Sequence, residues 1–181
     1  HRIVIGLGWD PADEPGLIQR IGSMAKGQPT HHDLDLSCYI YDENKNLIDK
    51  VTAEGEFAVD TTGKIYHSGD NMEGIGEGDD EEISVELKNL SPHIHHFIFT
   101  AHISTGHNFN EVNSPEMRIA DGYTNHNFLQ TPIAPENEDD NLFVFIHLSR
   151  GEKDNWNLRF LDSYTKIKDI LEIEEHLQSY L

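Results

Sequence analysis

Cysteine is nearly absent from this 181-residue chain, basic residues are scarce, and no apolar run reaches the length of a membrane span. A single thiol, Cys38, can build neither an intramolecular disulfide framework nor a cysteine-based zinc site. Its position in an alternating apolar run predicts a buried, unreactive side chain. Lys and Arg number 13 against 33 Asp and Glu, a formal charge of −20. Such a surface repels phosphate backbones and anionic lipid, which argues against nucleic acid and membrane surfaces as partners. A spanning helix needs ~20 consecutive apolar residues, so direct membrane insertion is not expected either. No signal peptide opens the chain, and a cytoplasmic location is expected. The first residue is His1 rather than Met and a strand-like run follows at once, as in a trimmed N-terminus. Also missing are the G-x-S-x-G elbow, the P-loop, the dinucleotide fingerprint and the H-E-x-x-H zinc motif.

What is present reads as β structure. Arg2 to Trp9 forms a short apolar run, and Leu34, Leu36, Cys38 and Ile40 alternate with Asp35, Ser37, Tyr39 and Tyr41. That period of two is the mark of a half-buried strand. Further strands are predicted over 47–52, 64–67, 83–87, 96–104, 116–120, 142–148 and 156–161, separated by polar turns. A long polar segment punctuated by Gly and Pro occupies 10–32, a length usually reserved for functional or mobile loops. Ile167, Ile170, Leu171, Ile173, Leu177 and Leu181 fall largely on one face of a helix predicted from about Lys166 to Tyr180. The expected fold is a single all-β domain over 1–181, a two-sheet antiparallel sandwich over 1–165 with a C-terminal helix over 166–181.

The acids are clustered. Asp60, Asp70, Glu73, Glu77, Asp79, Asp80, Glu81 and Glu82 crowd one stretch, interleaved with Gly69, Gly74, Gly76 and Gly78 and offset there only by Lys64. Mutual repulsion among these carboxylates opposes compaction. The glycines permit tight turns that can aim carbonyl oxygens inward beside the carboxylates. Calcium takes six to eight such oxygens in a flexible shell, whereas magnesium holds to a strict octahedron and keeps its waters. Asp33 and Asp35, two apart at a strand start, point to one side while Leu34 and Leu36 point to the core. The EF-hand spacing is absent. On these residues alone the choice between a divalent-cation site and a solvated acidic loop stays open.

The stretch Gly69-Asp70-Asn71-Met72-Glu73-Gly74-Ile75-Gly76-Glu77-Gly78-Asp79-Asp80-Glu81 resembles the signature of the TerD family. Gly6-Leu7-Gly8-Trp9-Asp10 and Asp33-Leu34-Asp35-Leu36-Ser37 are similar to that family's opening and strand motifs, and the likeness runs through nearly the whole chain. The resemblance implies a β-sandwich of the tellurite-resistance and stress-response type that binds calcium. Carried onto this chain, it implies Asp33, Asp35, Asp70, Asn71, Asp79, Asp80 and Glu81 as ligands of one or two Ca2+ ions. Backbone oxygen near Gly74 and Gly76 would contribute, with Glu77 and Asp10 in reserve. The chain departs from the family in its short run before Gly6, in the length of its 11–32 segment and in its C-terminal helix.

Three functional readings follow. The leading one is a non-enzymatic calcium module whose ion orders the loop and so regulates protein partners in a stress-response or membrane-associated complex. The second is a metal-dependent phosphohydrolase on the same carboxylates, with His67 as the nearest base. The third is an assembly subunit that docks through its C-terminal helix. The 12 histidines, among them His31, His32, His93, His95 and His96, are expected as solvated or packing groups. Trp9 and Trp156 are expected in packing roles, and Arg118, Arg150 and Arg159 as counterions to carboxylates.

Overall fold

The computed structural model describes residues 1–11, 31–74 and 78–181. Most of the predicted 10–32 segment, together with Gly76 and Glu77, lies outside these. Among the described residues, ten strands form two five-stranded antiparallel sheets. In chain order they are β1 Arg2–Asp10, β2 Leu34–Tyr41, β3 Leu47–Val51, β4 Ile65–His67, β5 Glu81–Glu86, β6 His96–Ile103, β7 Asn113–Asp121, β8 Asn127–Pro132, β9 Leu142–Arg150 and β10 Trp156–Thr165. One sheet runs β4-β5-β1-β7-β8 and the other β10-β9-β6-β2-β3. A short helix, α1 Leu171–Leu177, and a 3-10 turn Gln178–Tyr180 end the chain. No helix among the described residues is long and apolar enough to cross a membrane.

The inner faces of the two sheets meet in one core. Ile5 and Leu7 of β1, Leu34, Leu36, Cys38 and Ile40 of β2, and Phe97 and Phe99 of β6 have no exposed surface. The alternation read in β2 is therefore real on its inner side. The Cys38 thiol is fully buried, and desolvation raises its pKa far above the ordinary value, so it is inert.

The half-buried expectation for β2 needs correction, because its outer face is covered too. Tyr39, Tyr41, Ile98, Leu142 and Val144 form a second apolar cluster with Ile167, Ile173 and Leu177 of the C-terminal segment. The helix is shorter than its apolar spacing predicts. Asn141 holds the backbone of Ile167 in both directions, accepting from its N–H at 2.8 Å and donating to its carbonyl at 3.0 Å. The Ile167 carbonyl is thereby lost to a helical ladder, and the N–H of Leu171 that it would accept from donates to the Asp169 side chain at 3.0 Å where the helix begins. Leu171 itself is 73% exposed. Strand β8 was not predicted. Its sequence, Asn127-Phe128-Leu129-Gln130-Thr131-Pro132, is mostly exposed, sits at a sheet edge and carries a proline, all of which blur a strand signal.

Candidate metal centre

β1 is the middle strand of its sheet, paired with β5 on one side and β7 on the other. Leu7 lies opposite Glu81, so the end of β1, the start of β5 and the loop before β5 converge at one end of the sandwich. Two hydrogen bonds clamp the loop there. The N–H of Asp80 donates to the carbonyl of Leu7 at 2.8 Å, and the N–H of Trp9 donates to Asp80 Oδ2 at 2.8 Å.

Asn71 organises the loop. Its Oδ1 accepts from the N–H groups of Glu73 and Gly74 at 3.2 and 3.1 Å, and its Nδ2 donates to Asp80 Oδ1 at 2.9 Å. Gly74 has φ +64, and a Cβ there would lie 2.5 Å from Trp9 Nε1. Only glycine fits so close to the indole.

The start of β2 supplies the other wall. Asp33, Asp35 and Asp70 each offer one carboxylate oxygen, and the three oxygens lie within 4.8 Å of one another. Asp33 Oδ2 accepts from Ser104 Oγ at 3.3 Å, while Asp33 Oδ1 is buried with no partner among the described residues. Burial raises the Asp33 carboxyl, and Asp70 adds to the effect. Asp35 is pushed up to about 7, first by burial, then by Asp33 and Glu81, with Ser104 opposing. The three clustered carboxylates thus repel one another, and a cation would relieve that repulsion. An all-oxygen donor set with an orphaned lone pair fits a hard divalent ion, for which metal–oxygen distances of about 2.3–2.6 Å allow ligand oxygens nearly 5 Å apart.

Asp79, Asp80 and Glu81, also predicted as ligands, have protein partners of their own, and Gly76 lies outside the described residues. Asp79 belongs to an ion pair: Arg118 Nε donates to both its oxygens at 2.9 and 2.8 Å, and Nη2 reaches Oδ2 at 2.6 Å. Asp80 is tied to Trp9 and Asn71; burial raises its carboxyl, the Trp9 N–H opposes, and Asp79 and Asp10 add to the rise. Glu81 is fully buried. Its Oε2 accepts from the N–H of Leu36 at 2.8 Å and its Oε1 from that of Asn71 at 3.2 Å, so it bridges the two sheets and the loop. His67 Nε2 stands 3.3 Å from Glu81 Oε2, and His67 Nδ1 accepts from the N–H of Gly69 at 3.0 Å. Burial raises Glu81, opposed by His67 and the two backbone donors.

Sequence reasoning missed Ser104 and the pairing of Asp79 with Arg118, since no local spacing encodes either contact. It also missed His102, which lies opposite Asp35 on β6; burial lowers its pKa to about 4, and its Nδ1 has no partner among the described residues. The expected counterion role holds for Arg118. Arg150 donates to the carbonyls of Ile94 and Ser91, and Arg159 contacts the carbonyl of Tyr180 and His147. His96 and His147 stack with ring centroids 5.2 Å apart, a packing role.

The Asp79 pair explains one glycine of the opening motif. A Cβ on Gly6 would fall inside the Asp79 carboxyl group. We expect Gly6→Ala to dislodge Asp79 from Arg118 and cost on the order of 2–4 kcal/mol in a urea melt. The same substitution in an Asp79→Ala background should cost markedly less, a difference that a double-mutant cycle reads directly.

A two-sheet β-sandwich with an acidic centre built from a strand edge and a glycine-rich loop defines the structural class. The TerD domain family matches residues 1–171, and the chain belongs to that family. Among its relatives, tellurium resistance protein TerZ of Serratia marcescens is 36% identical over 116 residues, 64% of this chain and 57% of that protein. General stress protein 16U of Bacillus subtilis (strain 168) is 29% identical over 147 residues, 75% of this chain and 66% of that protein. The chain therefore spans less than two thirds of the length of either. The crystal structure of a homologue of telluride resistance protein (TerD) from Streptomyces coelicolor A3(2) superposes with TM-score 0.74 at 21% identity, covering 96% of this chain and 94% of that one. This likeness establishes the shared fold.

Proposed function

We propose that the protein is a non-enzymatic calcium-binding module of the tellurium-resistance and stress-response type, taking one or two Ca2+ ions at the acidic end of the sandwich. The observation that carries this reading is the triplet Asp33, Asp35 and Asp70, with three carboxylate oxygens mutually within 4.8 Å. Filling it would tie β2 to the loop and set the loop's surface for protein partners in a stress-response or membrane-associated complex. A cytoplasmic setting belongs to the same proposal. The orientation of His67 favours this reading over hydrolysis, since its Nε2 faces Glu81 and its Nδ1 the backbone of Gly69. Native mass spectrometry across a calcium titration tests it directly. One or two calcium adducts that EDTA removes are expected, and a spectrum unchanged at millimolar calcium refutes it.

The reading carries a pH dependence. Calcium requires ionised Asp35, whose carboxyl sits at about 7 in the ion-free protein. Below that value binding must expel a proton, so affinity falls as pH falls. One such group gives a loss of about tenfold between roughly pH 8 and pH 6. Calorimetry in two buffers of different ionisation enthalpy should show proton release at about pH 6.5 and little at about pH 8.

A further inference from the structure

The opposite end of the sandwich has the reverse electrostatic character. β1 runs from Arg2 to Asp10, which places its two ends about 26 Å apart at ~3.3 Å per residue. At the Arg2 end a cavity of about 490 Å³ opens between the turn after β5, the end of β7, the exposed face of β8 and the β9–β10 connection. That volume lies in the range of small-molecule sites.

Its wall is cationic in a chain of net charge −20. Arg2, Lys88 and Lys153 line it. Lys64 Nζ sits directly behind, donating to the carbonyls of Lys88 and Asn89 at 2.9 and 2.7 Å. The Arg2 guanidinium is held aside by Ser84 Oγ at 2.7 Å and the ring of Tyr66 at 5.4 Å. Neither Lys88 nor Lys153 forms an ion pair with a carboxylate among the described residues. One carboxylate, Asp121, lines the cavity, and its Oδ1 already accepts from the N–H groups of Tyr123 and Thr124 and from Thr124 Oγ1. With 33 acids in the chain, two lysines that line one cavity and form no ion pair among the described residues mark a place suited to an external anion.

The rest of the wall is aromatic. Phe128 is 57% exposed on β8 and presents its ring at the cavity. Trp156 lines the cavity as well, braced by Phe97 at 5.0 Å between centroids and by the Arg150 guanidinium 5.0 Å from its ring. Its Nε1 is buried with no hydrogen-bond acceptor among the described residues. The two turns bordering the cavity each hold a non-glycine residue in the left-handed region, Asn89 at φ 56 and Lys153 at φ 56. For lysine that conformation costs roughly 1–2 kcal/mol, and such residues recur at ligand sites.

We propose that this cavity binds a small phosphorylated ligand carrying a planar ring, of the class of nucleoside monophosphates. Lys88 and Lys153 take the phosphate, and Phe128 and Trp156 flank the ring. The site is independent of the acidic end and of any calcium there.

The test is isothermal calorimetry on the full chain in calcium-free buffer with AMP, GMP, CMP and UMP, and with inorganic phosphate alone. Saturable one-to-one binding of at least one nucleotide is expected, tighter than phosphate. It should be weakened about tenfold or more in Lys88→Glu/Lys153→Glu and in Phe128→Ala. All three side chains are exposed, so these variants should keep the wild-type melting curve and calcium response. No saturable nucleotide binding, affinities unchanged in the variants, or phosphate binding as tight as the nucleotide would each overturn the assignment.

Discussion

Calcium added to the ion-free protein should raise its melting temperature by about 5–10 °C, and EDTA should return it to the starting value. A ligand present at a hundred times its dissociation constant stabilises the folded state by about 2.7 kcal/mol. In a chain of this size each kcal/mol moves the melting temperature by roughly 2–4 °C. The physical source is the crowding of Asp33, Asp35 and Asp70, whose oxygens lie within 4.8 Å of one another. Asp35→Asn should separate that source from other effects. The Asp35 carboxyl stands at about 7 in the folded state against an ordinary 3.8. Between those values the folded form holds a proton that the unfolded form has released, so ion-free stability falls as pH rises through the window. A neutral Asn removes that loss. The variant should therefore be more stable than the parent in EDTA at about pH 8, on the order of 2 kcal/mol after allowance for partial solvent contact, yet gain nothing from calcium. Scanning calorimetry with and without calcium measures both halves, and a variant less stable than the parent in EDTA would contradict the account.

Strand positions were legible where one face meets the core. The period-two pattern of Leu34, Leu36, Cys38 and Ile40 predicted β2, and each of these side chains is fully buried. β8 escaped because an exposed edge strand has no apolar face to announce it. The limits of α1 escaped because they depend on Asn141, a residue remote in sequence that captures the backbone of Ile167. The acidic centre shows the same division. Residue type and glycine spacing identified the loop, and the alternation of β2 aimed Asp33 and Asp35 to one side. Which acids meet which partners was not legible. Asp79 is matched to Arg118 on β7, and that pairing follows from β1 lying between β5 and β7. Sheet order of this kind leaves no trace in local spacing. It also bears on the choice of test: Asp79 and Glu81, which the motif groups with the ligands, hold structural contacts in the ion-free state, so their removal confounds folding with binding.

Glu81 is the sharper case, and its replacement should lower stability even without calcium. Glu81→Ala is expected to cost about 2–4 kcal/mol in a urea melt in EDTA. Leu36 pairs across β2 with Ala101 of β6, whereas the ladder to β3 begins only at Cys38, so the N–H of Leu36 relies on Glu81 Oε2 at 2.8 Å. Removing the carboxylate strands that donor, frees the N–H of Asn71 that holds the loop, leaves His67 Nε2 without its neighbour, and opens a void at a site with no exposed surface. Glu81→Gln keeps the volume and one carbonyl acceptor, so it should cost less than half as much. The sign of the effect in EDTA separates two roles. A carboxylate present chiefly to hold an ion stabilises the ion-free fold when neutralised, as expected for Asp35. One that cross-links the sheets destabilises it. Glu81 should fall on the destabilising side, with any loss of calcium affinity following from release of the loop at Asn71. Equal or greater ion-free stability in Glu81→Ala would instead place Glu81 with the Asp33, Asp35 and Asp70 triplet.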